Sequence, residues 1–310
     1  MSIDRGKKSM ESISKSLFQK SRSARREKRG RIFSQICAWL ITFSVALIIF
    51  FLAFKGSRLF YENHVKLASF LFGTSWQPSA GLYGALPLIA GSSLVSFSSV
   101  VFCTPLAIGA AVMMSEIVSP RIADWLKIGL EVLVGIPAVI YGLLGILLVV
   151  PGLRLLFGGT GYGWLAAALV LAVMILPTLV SLSLDAFKGV PQKYRQAAYA
   201  LGATKLQVWS TIVAPMALPR LKTALIFSFA QAFSEAIAVQ MVVGNAALFP
   251  TSINSPAATL TSVITIGLAD AVPGSEEINA LWSLAFVLLL MSLVFNLLAH
   301  YLIWRRKHVF

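Results

Sequence analysis

The chain has 310 residues, 57% of them hydrophobic and only 12% charged, against about 25% charged in a typical soluble domain. Its mean hydropathy of +0.81 leaves too little polar surface to cover a globule in water, which excludes a soluble fold. The net charge is +14, but eleven of the 26 Lys and Arg residues lie in residues 1–31 with a single aromatic, Phe18, among them. That pattern argues against a base-stacking nucleic-acid surface and for a solvated tail that meets anionic lipid.

In chain order, residues 1–31 form the cationic tail. The apolar stretch 32–54 is too long for the h-region of a cleavable signal and reads as an uncleaved first span, with an outer loop beginning by residue 67. Further runs at 86–116, 125–151, 163–187, 219–243 and 280–304 are long enough to cross ~30 Å of hydrocarbon as helices. Helices are expected because lipid offers backbone groups no partner, and no ten-residue alternation argues for a barrel. The expected fold is all-α, with six transmembrane helices. Pro87, Pro105 and Pro137 predict kinked or partly re-entrant helices in the second and third runs.

Orientation follows from the cations in the connections. The tail, the loops after spans two and four, and the C-terminal tail together hold 22 Lys and Arg residues, and the opposite compartment holds 4. Both termini are therefore expected in the cytoplasm. The outer loops differ in character. The first, over 55–84, contains Trp76, Pro78 and Tyr83. The connection 244–279 is rich in Ser, Thr, Ala and Pro, with Asp270, Glu276 and Glu277. Each is either a plain connector or a surface for an external partner.

Sites for chemistry are sparse. Cys37 and Cys103 fall in different apolar segments, and His64, His300 and His308 are scattered, so neither a disulfide framework nor a metal site is expected. No GxxxxGK[ST] sequence occurs, so the chain has no phosphate-cradling loop of its own. No nucleophile–base constellation stands out. The reading is a non-catalytic membrane subunit without a cofactor.

The connection 188–222, KGVPQKYRQAAYALGATKLQVWSTIVAPMALPRLK, is too long for a simple link. Pro191 suits a helix start, 192–201 has good helix formers, and Gly202 stops or bends the helix. A second amphipathic piece, 205–213, precedes Pro215. Within this stretch Gln196, Ala197, Ala198, Gly202, Ile212, Ala214 and Pro215 stand at the spacings of a known pattern. It is E-A-A, three residues, G, nine residues, I, one residue, L-P, and it belongs to binding-protein-dependent ABC permeases. The chain resembles that family, whose pattern marks a coupling helix that docks in a cleft of the ATPase subunit. The resemblance implies that 192–215 docks likewise, with Trp209 and Ile212 plugging a groove. Gln196 replaces the family's acidic residue, and Ala214 its leucine.

Further segments carry a narrower resemblance. They are Glu131-Val-Leu-Val-Gly-Ile-Pro137 with Tyr141-Gly142, Met174-Ile-Leu-Pro177, and Val243-Gly244-Asn245. From about residue 70 to 305 the chain resembles the C-type permease of the phosphate-specific (Pst) ABC importers. This implies a type I ABC importer permease fold, with a core over 68–306 and a short tail at 307–310. It also implies a second, A-type permease subunit, two ATPase subunits, an external phosphate-binding protein, and phosphate as the solute. The family's fifth span carries G-R-A-L-G-E-T. The aligned residues here run from Ala230 to Ala236, keeping Glu235 and placing Gln231 where the family has arginine. Glutamine offers an amide where arginine offers a planar, permanent charge.

Glu235, Gln231, Ser234 and Asn245 are the pathway candidates. A carboxylate at mid-span costs about 2.5–3.5 kcal/mol on insertion scales and so faces a cavity or a partner. Glu235 therefore either serves the pathway or pairs with a cation on another subunit. Among weaker candidates, Glu131 is placed to pair with Lys127 and Asp185 with Lys188, while Glu116 is expected to snorkel at a span end. Ser92 and Ser93 read as small-residue packing positions. Two rival functions stay open: a permease for another oxyanion or small solute, and a permease-like regulatory membrane protein without transport.

Overall fold

The computed structural model describes residues 22–272 and 274–304. The first 21 residues of the cationic tail and the expected C-terminal tail lie outside the described residues. Six described helices are long and apolar enough to cross a membrane: Arg29–Tyr61, Leu86–Ile117, Ala138–Phe157, Trp164–Lys188, Lys205–Ser234 and Glu276–Leu298.

The chain divides into two units, residues 1–51 and 52–310. The first holds the greater part of helix α1 (Arg22–Tyr61), whose apolar side chains such as Phe33, Trp39 and Phe50 are exposed. An exposed apolar surface of this length suits lipid contact.

In the second unit, a short helix α2 (Leu67–Phe72) leads to a two-stranded hairpin of β1 (Trp76–Gln77) and β2 (Leu82–Tyr83). The strands pair antiparallel, with Trp76 opposite Tyr83. The second span is α3 (Leu86–Val112) extended by a π turn, Met113–Ile117. Ser92 Oγ accepts a 2.8 Å hydrogen bond from the Leu260 amide, so this small polar residue ties α3 to a distant helix start.

The expected third span, 125–151, is divided. Helix α4 (Pro120–Val134) stops at Gly135, and a separate span begins at Ala138 as α5 (Ala138–Leu144), a π turn (Gly145–Val149) and α6 (Val150–Phe157). The cause is Pro137. It has no amide hydrogen for the Leu133 carbonyl, and it disfavours helical backbone at Ile136. The Leu133 carbonyl instead accepts from the Ile136 amide at 3.2 Å and from the Tyr141 hydroxyl at 2.8 Å.

The fourth span, α7 (Trp164–Lys188), is the most enclosed of the six. Its small residues Ala166, Ala167, Ala168, Ala172 and Ser183 are buried. Small residues let helix backbones approach closely where hydrophobic driving force is weak.

The fifth span also departs from expectation. After α8 (Gln192–Ala200), the helix resumes as α9 (Lys205–Val208), passes through a π turn (Trp209–Val213) and continues as α10 (Ala214–Ser234). The piece expected to end before Pro215 therefore runs on into the membrane. A π turn also stands just before Pro151. The widened turn moves the preceding carbonyl away from the proline ring and lets each helix continue. At its other end the expected run 219–243 breaks at Glu235, and α11 (Ile237–Val242) follows as a separate short helix.

The connection 244–279 contains α12 (Leu260–Asp270), started by a Thr259–Ser262 capping box. Its eleven residues reach about 16 Å, too short to span the bilayer. Helix α13 (Glu276–Trp304) closes the unit. Two apolar clusters hold it. The larger joins α3, α7, α10 and α11, and the smaller gathers Phe70, Trp76, Tyr83, Phe233, Leu260 and Leu281.

Candidate functional site

The segment 192–215 lies at the end of the spans where α3 and α7 finish. Pro191 caps α8 at its start. At its other end, Gly202 adopts φ +80°, a left-handed conformation that glycine enters without steric cost. The Gly202 amide donates to the Tyr199 carbonyl at 3.0 Å, and the Ala203 amide to the Ala198 carbonyl at 3.1 Å. These are the two bonds of a Schellman ending. Thr204 then starts the next helix with a capping box, its amide donating to Gln207 Oε1 at 2.8 Å and its Oγ1 accepting from the Gln207 amide at 3.4 Å. The helix, glycine turn and helix are thus specified by adjacent residues.

The exposure of the expected docking residues is uneven. Gln196, Ala197, Gly202 and Pro215 are exposed, while Ala198 is buried and is the only buried residue of α8. Trp209 and Ile212, expected to plug a partner's groove, instead pack half-buried against this chain's own core. The apolar side chains that reach outward are Leu201, 90% exposed, Leu206, 73% exposed, and Tyr194 and Tyr199. Leu201 immediately precedes the glycine turn, so it forms the tip of the segment.

Glu116 does not snorkel. Both of its carboxylate oxygens accept from Arg195 Nη1, at 2.7 and 2.9 Å. The same guanidinium donates from Nη2 to the Phe187 carbonyl at 3.1 Å. The two partners are 79 residues apart, so no local pattern points to the pair. The exposed Lys127–Glu131 pair expected on α4 is present at 3.9 Å. Asp185 has no ion pair among the described residues.

The second candidate region is the break between α10 and α11. Glu235 caps α10 with extended backbone, φ −73° and ψ 137°, and is half-buried. It has no ion pair among the described residues. Interrupted helix at membrane depth is tolerated where protein or a cavity covers the freed backbone groups. Here the far end of α11 is pinned: the Val242 carbonyl accepts from the Gly163 amide at 3.1 Å, and the Val243 carbonyl from the Ala257 amide at 3.0 Å. Close packing pins it further. A Cβ on Gly145 would stand 2.6 Å from Val170 Cγ2 and 2.9 Å from Val242 Cγ1.

The four pathway candidates are not gathered in one cavity. Gln231 and Ser234 are exposed on α10. Ser234 Oγ bonds the Ala230 carbonyl at 3.0 Å and lies 3.4 Å from Ser292 Oγ of α13. Asn245 sits beyond α11 at φ +51°, its Nδ2 donating to the Gln240 carbonyl at 2.8 Å. It lines a cavity of about 320 Å³ with Thr160, Tyr162, Met241, Gly244 and Pro256. A second cavity, of about 230 Å³, lies between α4 and α7 beside Lys127, Glu131, Thr178 and Ser181.

Six spans, a central small-residue helix and a capped helical segment at one end define a permease of the ABC importer type. Residues 104–308 match the family "Binding-protein-dependent transport system inner membrane component", and the chain belongs to that family. It is a membrane-spanning permease subunit of an ABC importer, with the type I permease fold.

Among its relatives, a probable ABC transporter permease protein, YqgH, of Bacillus subtilis is 42% identical over 284 residues, 91% of this chain and 92% of that protein. The phosphate transport system permease protein PstC of Mesorhizobium japonicum is 30% identical over 257 residues, 76% of this chain and 78% of that protein. In fold, the chain is similar to a chain of a bacterial alginate ABC transporter solved in complex with its alginate pentasaccharide-bound periplasmic protein. That match has a TM-score of 0.60 and 17% identity over 91% of this chain and 98% of that one. It is also similar to a chain of the inward-facing methionine ABC transporter MetNI, with a TM-score of 0.55 and 18% identity over 74% of this chain and 99% of that one.

Proposed function

We propose that this subunit forms half of the transmembrane pathway of an ATP-driven phosphate importer. The other half is an A-type permease, an external phosphate-binding protein delivers the solute, and two ATPase subunits supply the energy. The chain itself carries no ATP chemistry. The end bearing 192–215 and both termini face the cytoplasm, in keeping with the 22-to-4 division of Lys and Arg between the two sides.

The observation that carries this reading is the helix, Schellman turn and helix of 192–215, with Leu201 and Leu206 exposed at its tip. An amphipathic element held out by a rigid turn, with apolar side chains facing solvent, fits a groove on a partner. Motion of the ATPase subunits would reach the spans through α8 and through the continuous helix from Lys205 to Ser234. Phosphate as the solute is supported by the relatives named for phosphate transport.

The test is uptake of labelled phosphate by cells lacking the chain. Uptake should fall and return with the restored gene, whereas unchanged uptake would sink the phosphate reading. A second oxyanion as solute is favoured by one observation, Gln231 in place of the arginine of the resembled pattern. Competition of arsenate, sulfate and molybdate against phosphate in the restored cells separates the two.

A further inference from the structure

The exposed segment poses a mechanical problem. Of the nine residues of α8, only Ala198 is buried. Apolar packing therefore holds this helix weakly, yet a part that transmits force must not slide on its support. The Arg195 side chain supplies what packing lacks. Its guanidinium meets the Glu116 carboxylate in the π turn that ends the second span, and the Phe187 carbonyl in the last turn of the fourth. The side chains of Arg195 and Glu116 are 11% and 21% exposed.

The electrostatics are one-sided. A helix C-terminus carries negative partial charge. The spans ending at Ile117 and Lys188 both end at this cation. Arg195 is favourable to both ends, whereas Glu116, a carboxylate at a C-terminus, is unfavourable without a cation. Nη1 and Nη2 are occupied by these partners, and the Arg195 Nε is buried with no partner of its own among the described residues.

We propose that Arg195 and Glu116 are positioning residues for coupling. Their pair clamps α8 to the second and fourth spans, so that displacement of 192–215 moves those spans rather than sliding past them. The inference rests on the reading of 192–215 as the ATPase-facing segment. With the clamp intact, ATP hydrolysis and solute movement stay proportional. Without it, α8 follows the ATPase while the spans lag, and hydrolysis proceeds with little transport.

The experiment uses the whole complex, both permeases and the ATPase subunits, in vesicles with the phosphate-loaded binding protein. It measures ATP hydrolysed per phosphate taken up. Arg195→Gln should assemble and raise that ratio about tenfold, less than a fully buried unpaired charge would cause, because Glu116 keeps some solvent. Glu116→Gln should raise it less, since Arg195 retains the Phe187 carbonyl and two helix ends. The double variant should be no worse than Arg195→Gln, and Arg195→Lys should fall between that variant and the wild type.

An assembled Arg195→Gln complex with the wild-type ratio would overturn the proposal, as would strictly additive effects. Loss of assembly in both Arg195→Gln and Arg195→Lys would also overturn it, by making the pair a structural tie only. Failure of the underlying reading looks different. If Gly202→Pro leaves assembly and transport intact, 192–215 is not the coupling segment. If the wild-type complex moves another oxyanion in place of phosphate, only the solute is wrong, and the same ratio is taken with that ion.

Discussion

Gly202 allows a sharp test, because its environment separates backbone strain from crowding. Its φ is +80°, and a Cβ built there meets no atom within 4 Å among the described residues beyond its chain neighbours. Substitution therefore adds no clash, and the penalty is conformational alone. For alanine the left-handed region costs about 1–2 kcal/mol. That shifts the local equilibrium between the closed turn and an opened one by about 5–30-fold. Asparagine tolerates the same region better and should cost less. Proline cannot reach φ +80° at all and removes the amide that donates to the Tyr199 carbonyl. The expected order of damage is Asn, then Ala, then Pro. The assay is retention of the ATPase subunits on purification through the tagged permease, together with phosphate uptake by the same cells. Alanine should weaken retention within the stated range, and proline should abolish it. Wild-type retention by Gly202→Pro, or an alanine variant worse than the proline one, would refute the reasoning, since neither follows from φ.

Three further outcomes are expected. Gly145→Ala should destabilise the purified protein by about 1–3 kcal/mol, since the new methyl meets two β-branched side chains with little freedom to move; thermal unfolding in detergent measures it, and an unchanged midpoint would contradict the packing. Glu235→Ala should abolish uptake while the complex still assembles, whereas loss of assembly on co-purification would assign Glu235 to pairing with a partner. The third concerns Tyr83 of the β1–β2 hairpin, whose hydroxyl donates to Glu276 Oε2 at 3.2 Å. Burial first, then this hydrogen bond and the charges of Glu276 and Glu277, raise its pKa above 10.0. A raised value means the neutral phenol is favoured in the folded state, so its contribution is complete below pH 10 and is lost as pH climbs through the folded value. Stability measured across pH 9 to 12 should therefore fall more steeply for the wild type than for Tyr83→Phe, and parallel curves would count against it.

The local features were legible from the chain because adjacent residues carry them. Apolar runs mark the six spans, since each must satisfy its backbone within itself. The turn at Gly202 was legible because a glycine between good helix formers has a direct conformational meaning. Pro137 signalled a kink, but its depth was not legible. Whether a proline bends a helix or divides it depends on what satisfies the freed carbonyl, and here the Ile136 amide and the Tyr141 hydroxyl both reach back to Leu133. Pro215 shows the opposite outcome, because a π turn carries the helix through.

The sequence by itself therefore determined that this is a six-span membrane protein with a capped helical segment between its fourth and fifth spans. Only the tertiary structure decided which side chains of that segment face outward. It turned Trp209 and Ile212 into the chain's own core and left Leu201 and Leu206 exposed. It also broke the fifth apolar run at Glu235, where α11 is pinned by contacts to Gly163 and Ala257 rather than by any breaker residue. Glu116 and Arg195 became a pair for the same reason. Helix propensity and hydropathy act over a few residues, whereas an ion pair spanning 79 residues forms only when packed spans bring two helix ends to one cation.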